Sequence, residues 1–163
     1  MKKHLVLLLL VVSLFSCSKN DEETSHGNFT VNNKAYTTNY AVASFKTINI
    51  PEIFLSEVKP ISFSGSVNDF TGTVVYLQFS NPLYQSKRFT FGDYSVKNGI
   101  AVTPYECNVL VYTNAKTGSV ITGIYGTVQI SESGDTYIIK YDVETMTGEH
   151  VKGTYKGDIE GLY

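Results

Sequence analysis

Ile124-Tyr125-Gly126-Thr127-Val128-Gln129-Ile130, Tyr137-Ile138-Ile139-Lys140-Tyr141-Asp142-Val143 and Val151-Lys152-Gly153-Thr154-Tyr155-Lys156-Gly157-Asp158-Ile159 occupy most of the last third of the chain. Each segment sets large apolar residues or glycines at every second position, the period of a half-buried strand. Ile124, Gly126, Val128 and Ile130 share one face of the first segment. Tyr137, Ile139, Tyr141 and Val143 do so in the second, and Val151, Gly153, Tyr155, Gly157 and Ile159 in the third. A two-residue Ser133-Gly134 turn predicts Ile130 opposite Tyr137, Val128 opposite Ile139 and Gly126 opposite Tyr141. A three-residue loop, Met146-Thr147-Gly148 with Gly148 left-handed, predicts Val143 opposite Val151, Tyr141 beside Gly153 and Tyr137 beside Gly157. Both turns bring the apolar sets to one face, an agreement that a slip of one residue would destroy. Tyr141 then has glycine on both sides, so its ring covers bare backbone. Lys152, Thr154, Lys156 and Asp158 form the solvated opposite face.

Upstream, the same signals recur. Asn28 to Val31 reads as a short strand, Asn32-Asn33 as a type I′ turn, and Lys34 to Phe45 as the next strand. Ile50 to Pro60 fits either a short helix between its prolines or a strand at Ile53 to Glu57, and the strand is the better reading. Ser62 to Gly72 reads as a loop carrying part of a strand. Thr73 to Ser80 is a strand with Val75, Leu77 and Phe79 on one face. Phe89 and Phe91 alternate in a short strand that Gly92-Asp93 breaks. Cys107 to Thr113 is apolar on both faces and so belongs in the middle of the sheet, followed by a turn at Asn114 to Gly118. The fold expected is all-β: a single antiparallel β-sandwich or flattened meander barrel of about eight to ten strands. Twelve tyrosines and nine phenylalanines suit that class.

The N-terminus carries a different message. Lys2 and Lys3 precede an unbroken apolar run from Leu5 to Val12, too short to span a bilayer as a helix. A charged start, a short apolar core and small residues after it form a removable secretory signal. Ordinary cleavage after Ser18, with Ser16 and Ser18 as the small residues, is one reading of this segment. Leu14, Ser16 and Cys17 also resemble the lipobox of bacterial lipoproteins, with Phe15 where that family has a small or β-branched residue. The resemblance implies cleavage between Ser16 and Cys17, a diacylglyceryl thioether on Cys17 and an acylated amine.

The domains expected are therefore a signal peptide at 1–16, a lipidated flexible tether at 17–27 and a β domain at 28–163. The tether is polar throughout and has no hydrophobic period. Its acidic run Asp21-Glu22-Glu23 resembles the export signal of surface lipoproteins in Bacteroidota, which implies display on the outer face of the outer membrane; a solvated acidic linker on a periplasm-facing protein is the alternative. The Gly-Thr-Val-Gln-Ile and Gly-Thr-Tyr-Lys-Gly series, at Gly126 to Ile130 and Gly153 to Gly157, is similar to the C-terminal meander of many Bacteroidota lipoproteins. That likeness implies a fold and no activity.

Composition narrows the chemistry. Past residue 16 the chain has eleven basic and fifteen acidic residues, so nothing supplies the basic stripe that phosphate neutralisation requires, and no nucleic-acid partner is expected. With Cys17 lipidated, Cys107 stands alone and packs as a small buried hydrophobe. No nucleophile elbow, zinc-protease helix, phosphate loop or calcium loop occurs, so no catalytic residue, metal site or cofactor is assigned. His26 in the tether and His150 on the polar face are too few for zinc. Asp142 and Asp158 are the nearest approach to a hydrolytic carboxylate pair, but Lys140 and Lys156 beside them fit an alternating surface charge pattern better.

Tyr76, Tyr84 and Tyr112 are the candidate ligand-binding residues, with Tyr94 and Tyr105 behind them, because a tyrosine face stacks on a sugar while its hydroxyl stays wet. The function expected is non-enzymatic binding of a glycan, a small ligand or an envelope protein by a monomeric, membrane-anchored domain. A carboxylate hydrolase acting on a glycan is the second reading. A structural or adhesive surface protein without a discrete pocket is the third.

Overall fold

Eleven strands join into one curled sheet, a half-barrel, in the computed structural model, which describes residues 26–47, 50–80, 91–101 and 103–162. They are β1 (His26–Val31), β2 (Lys34–Thr37), β3 (Tyr40–Thr47), β4 (Ile50–Ser56), β5 (Val74–Phe79), β6 (Gly92–Val96), β7 (Glu106–Asn114), β8 (Ser119–Ser133), β9 (Thr136–Thr145), β10 (His150–Gly157) and β11 (Glu160–Leu162). The order across the sheet is β11-β3-β4-β5-β7-β6-β8-β9-β10-β1-β2, and β7 also pairs with β8 beyond the end of β6. The long strands form an antiparallel meander. Two short ones, β6 on β7 and β11 on β3, pair in parallel and make the sheet mixed. Ser16, Cys17, Asp21, Glu22, Glu23 and Tyr84 lie outside the described residues. No helix among the described residues is long and apolar enough to cross a membrane.

Alternation sorts the side chains onto two faces. Ile53 and Leu55 on β4, Val75, Leu77 and Phe79 on β5, and Cys107, Val109 and Val111 on β7 enter the main core inside the curl. They meet Val128, Ile130, Ile139, Tyr141, Val143, Val151 and Tyr155 from β8, β9 and β10. The intervening residues Val42, Phe54 and Val74 face outwards into a second, smaller core. Loop residues cover it: Phe63 and Phe70 pack on Phe54 with ring centroids 5.1 and 5.4 Å away. The loop holds a 3-10 turn, Val67–Asp69, in place of the strand fragment expected there. Ser66 caps that turn, and the Asp69 carboxylate accepts from the Ser64 and Ser66 amides. With both faces covered, β7 is central, as its two-sided apolar pattern requires. Cys107 is a free, fully buried thiol, and burial pushes its pKa up.

Most turn chemistry is as read. Asn32 and Asn33 both have positive φ (49° and 62°), the type I′ signature. Gly148 has φ +78°, and Val151 faces Val143, Gly153 faces Tyr141 and Gly157 faces Tyr137. Ile50–Ser56 is strand, with Pro51 opposite the bulge where the β3–β4 register shifts. Lys34 to Phe45 divides into β2 and β3 at Thr38, whose amide donates to the Gly27 carbonyl at 2.9 Å. Gly92 opens β6, and Phe89 of the short strand expected before it lies outside the described residues. β1 starts at His26, which faces Lys156 across the ladder rather than lying in a tether.

The β8–β9 hairpin departs from the expected register by two residues. Gly134, at φ +63°, takes the first central position of the turn with Asp135 as the second, so Ser133 faces Thr136. Ile130 then meets Ile139, Val128 meets Tyr141, and Gly126 meets Val143. Tyr141 accordingly has glycine on one side only. A bulge between Gly123 and Tyr125 turns Gly123 into the core and leaves Ile124 half-buried.

Tyr141 is 2 % exposed and its hydroxyl has no hydrogen-bond partner. Removing an unpaired buried polar atom while keeping the ring relieves a desolvation cost. Tyr141→Phe is therefore expected to match or exceed the wild type, by up to about 1 kcal/mol, in urea unfolding. A lowered midpoint would show that the hydroxyl is bonded in solution.

Candidate ligand-binding groove

The outward positions of five adjacent strands build a polar trough. Asn28 on β1, Thr154 on β10, Lys140 on β9, Gln129 on β8 and Asp93 on β6 stand side by side through successive register pairs. Thr30, Lys152, Asp142 and Thr127 form the next row. Four inter-strand spacings make the first row about 19 Å long. The strands place polar residues here because their alternate positions are committed to the core beneath, a pattern clear in β10, where Val151, Gly153 and Tyr155 point inwards.

The twisted surface leaves a depression of about 560 Å³ over these rows. A second depression of about 470 Å³ shares Thr30, Asp142 and Lys152 with the first and continues to His150, Glu149 and Asn33. At the junction Lys152 Nζ lies 2.8 Å from Asp142 Oδ2, and His150 Nδ1 lies 3.9 Å from Asp142 Oδ1. At the far end Gln129 Nε2 donates to Asp93 Oδ1 at 2.8 Å. Lys140 has no carboxylate within ion-pair distance among the described residues. The trough thus presents paired donors and acceptors on a solvated surface, with Lys140 outside any ion pair among the described residues.

Hydrolytic chemistry finds no support in this arrangement. Asp158 lies six residues beyond Lys152, the partner of Asp142 across the ladder, which is about 20 Å of strand. Asp142 is held by Lys152, Asp93 is held by Gln129, and β8 runs between the two acids. Both acids line the solvated trough. No group of three or more histidine, cysteine or acidic side chains that could hold a metal occurs among the described residues.

The tyrosines singled out in the sequence fall elsewhere. Tyr76 and Tyr112 are both half-buried against the second core. The Tyr76 ring lies 5.0 Å from Phe54, and its hydroxyl donates to Glu52. Burial first, then that bond to a carboxylate, raises the Tyr76 pKa, while burial alone raises that of Tyr112. These two are brought together, but as walls of a packed cluster. Asn28, Thr30, Asp93, Thr127 and Gln129 were missed as groove residues. Their only sequence signal is an outward place in an alternating strand, and it becomes a surface only when β1 is known to lie beside β10 and β6 beside β8.

No protein-family model, curated protein or solved structure matches this chain.

Proposed function

We propose that this chain is a non-enzymatic binding protein, lipid-anchored at Cys17 to the outer membrane and facing the cell exterior, whose groove takes a hydroxyl-rich ligand of the glycan class. One observation carries the binding reading: the two contiguous depressions are lined mostly by hydrogen-bonding side chains, from five strands and from the turns at Asn32-Asn33 and Gly148-Glu149. Such a surface suits a ligand that is itself a lattice of donors and acceptors, because each hydroxyl can give and take a bond. The Asp93–Gln129 pair sets an acceptor beside a donor, and the Asp142–Lys152 pair repeats the motif in the next row. Strand-borne side chains hold such pairs in place without an ordering step. The anchor and the outward orientation rest on the Leu14-Phe15-Ser16-Cys17 segment and on Asp21-Glu22-Glu23.

The test is an array of neutral and acidic oligosaccharides probed with the detergent-solubilised full-length protein. Wild type is expected to bind at least one member. The double variant Asp93→Ala/Lys152→Ala is expected to bind it at least tenfold more weakly, since two lost hydrogen bonds at about 0.5–1.5 kcal/mol each reach that figure. Silence across the whole array, or binding that ignores the double variant, overturns the reading.

A further inference from the structure

Two apolar side chains stand out from the loop that joins β4 to β5. Ile61 is fully exposed and Val58 is 49 % exposed. The loop is fixed on both sides of them. Ser56 Oγ donates to the Val58 carbonyl at 3.0 Å, and Lys59 Nζ pairs with Glu160 at 2.6 Å. Past the tip, Phe63 packs on Phe54 and Phe70, with ring centroids 5.1 and 5.5 Å away. Side chains held in this way meet a partner with little further ordering. Scattered exposed hydrophobics need no explanation, so the place of this pair in the fold decides its meaning.

That place is beside the start of the first strand. The Thr38 amide donates to the Gly27 carbonyl at 2.9 Å, and Tyr40, 39 % exposed, follows Thr38 by two residues. Tyr40 faces Ser56 across the β3–β4 ladder, and Val58 follows Ser56 by two residues. These steps put Val58 within about 25 Å of Gly27. A second route agrees: His26 faces Lys156, and Glu160, the partner of Lys59, follows Lys156 by four residues. Nine residues, 17–25, separate Cys17 from His26, and nine residues span at most about 30 Å. A bilayer that holds a lipidated Cys17 is therefore within reach of this end of the domain. Met146, 67 % exposed in the β9–β10 turn, lies at the other end. Its neighbour Thr145 is seven residues along β9 from Ile138, the partner of Lys156, or about 23 Å of strand.

We infer that Val58 and Ile61 dip into the bilayer that holds Cys17, so that the domain docks on the membrane through this loop as well as hanging from its lipid. The inference rests on the anchor proposed above and adds a fixed orientation to it. Apolar side chains at a loop tip suit the boundary between headgroups and acyl chains. Tyr40 beside them suits the headgroup level, where a tyrosine ring meets apolar material and its hydroxyl meets water.

The chain contains no tryptophan, so Ile61→Trp and Met146→Trp each report on a single position. Both replaced side chains are exposed, and neither change disturbs the core. The full-length protein, purified from membranes, is reconstituted into phosphatidylcholine vesicles whose acyl chains carry bromine near the headgroup. Relative to vesicles without bromine, Ile61→Trp is expected to lose at least half of its fluorescence and Met146→Trp less than a tenth. The preference of tryptophan for membrane interfaces is common to both variants, so it does not produce the difference. If the protein floats with the vesicles while Ile61→Trp keeps its fluorescence, or both variants are quenched alike, the contact is wrong and the anchor stands. If the protein does not float with the vesicles, anchor and contact fall together.

Discussion

Gly126→Ala is expected to destabilise the domain severely. A methyl group at this position would stand 2.1 Å from the Asp142 carbonyl oxygen and 2.8 Å from the Val143 Cα. Both are backbone atoms of β9, so no rotamer change relieves the clash. Gly126 also has φ +130°, a conformation that costs a residue with a side chain about 1–3 kcal/mol. Forcing the strands apart adds about 1–3 kcal/mol or more. The sum is a large share of the about 5–15 kcal/mol by which domains are stable. The clash also falls within the β8–β9 ladder, the longest in the sheet, which runs from Gly123 opposite Thr145 to Ser133 opposite Thr136. Urea unfolding should show the midpoint lowered by more than about 1 M. Gly134→Ala is the control. Its φ is +63°, but nothing lies within 4 Å of an added methyl, so only about 1–2 kcal/mol is lost. Equal effects from the two substitutions would show that close approach of β8 to β9 is not what Gly126 provides.

Cys17→Ala is expected to move nearly all of the protein from the membrane fraction to the soluble fraction. Each buried methylene contributes about 0.8 kcal/mol, and one acyl chain gives only marginal binding, so stable attachment depends on the several chains that a lipidated N-terminal cysteine carries. Among the described residues no helix is long and apolar enough to cross a membrane. Shaving intact cells with protease separates the second half of the proposal. Wild type should be cleaved from outside, whereas a form with Asp21-Glu22-Glu23 replaced by their amides should stay membrane-bound and protected. If Cys17→Ala remains in the membrane fraction, the anchor is wrong. If wild type resists shaving, the domain faces the periplasm and the glycan array gives way to envelope proteins as first ligands.

The face occupied by each residue in the last third was legible because parity survives small errors. The Ser133-Gly134 turn was placed one position early, which moved the pairing by two residues and left every inner side chain inner. Only the bulge at Ile124 changed a face, and a bulge has no fixed sequence mark. The second core was hidden because Val42, Phe54 and Val74 alternate with a core already assigned, and the loop that covers them joins β4 to β5 across seventeen residues. The groove depended on neighbours far apart in sequence. Asn28 meets Thr154, a contact no local rule supplies. Tyr105 was visible as an aromatic, but its positive φ of 62° was not. Pro104 marks the turn, and only coordinates show which residue bears the unusual torsion.

The pairing of the first strand with β10 also has a kinetic side. β1 finds its ladder partner more than a hundred residues downstream, Val31 against Val151 and His26 against Lys156. A nascent or threading chain that lacks its last fourteen residues has no β10 for β1 to join, and the β1–β2 hairpin stays off the sheet however much of the meander has formed. Non-local closure of this kind slows folding. Under the proposed export, the late β1–β10 ladder would leave the sheet incomplete until the C-terminal end of the chain had crossed the membrane.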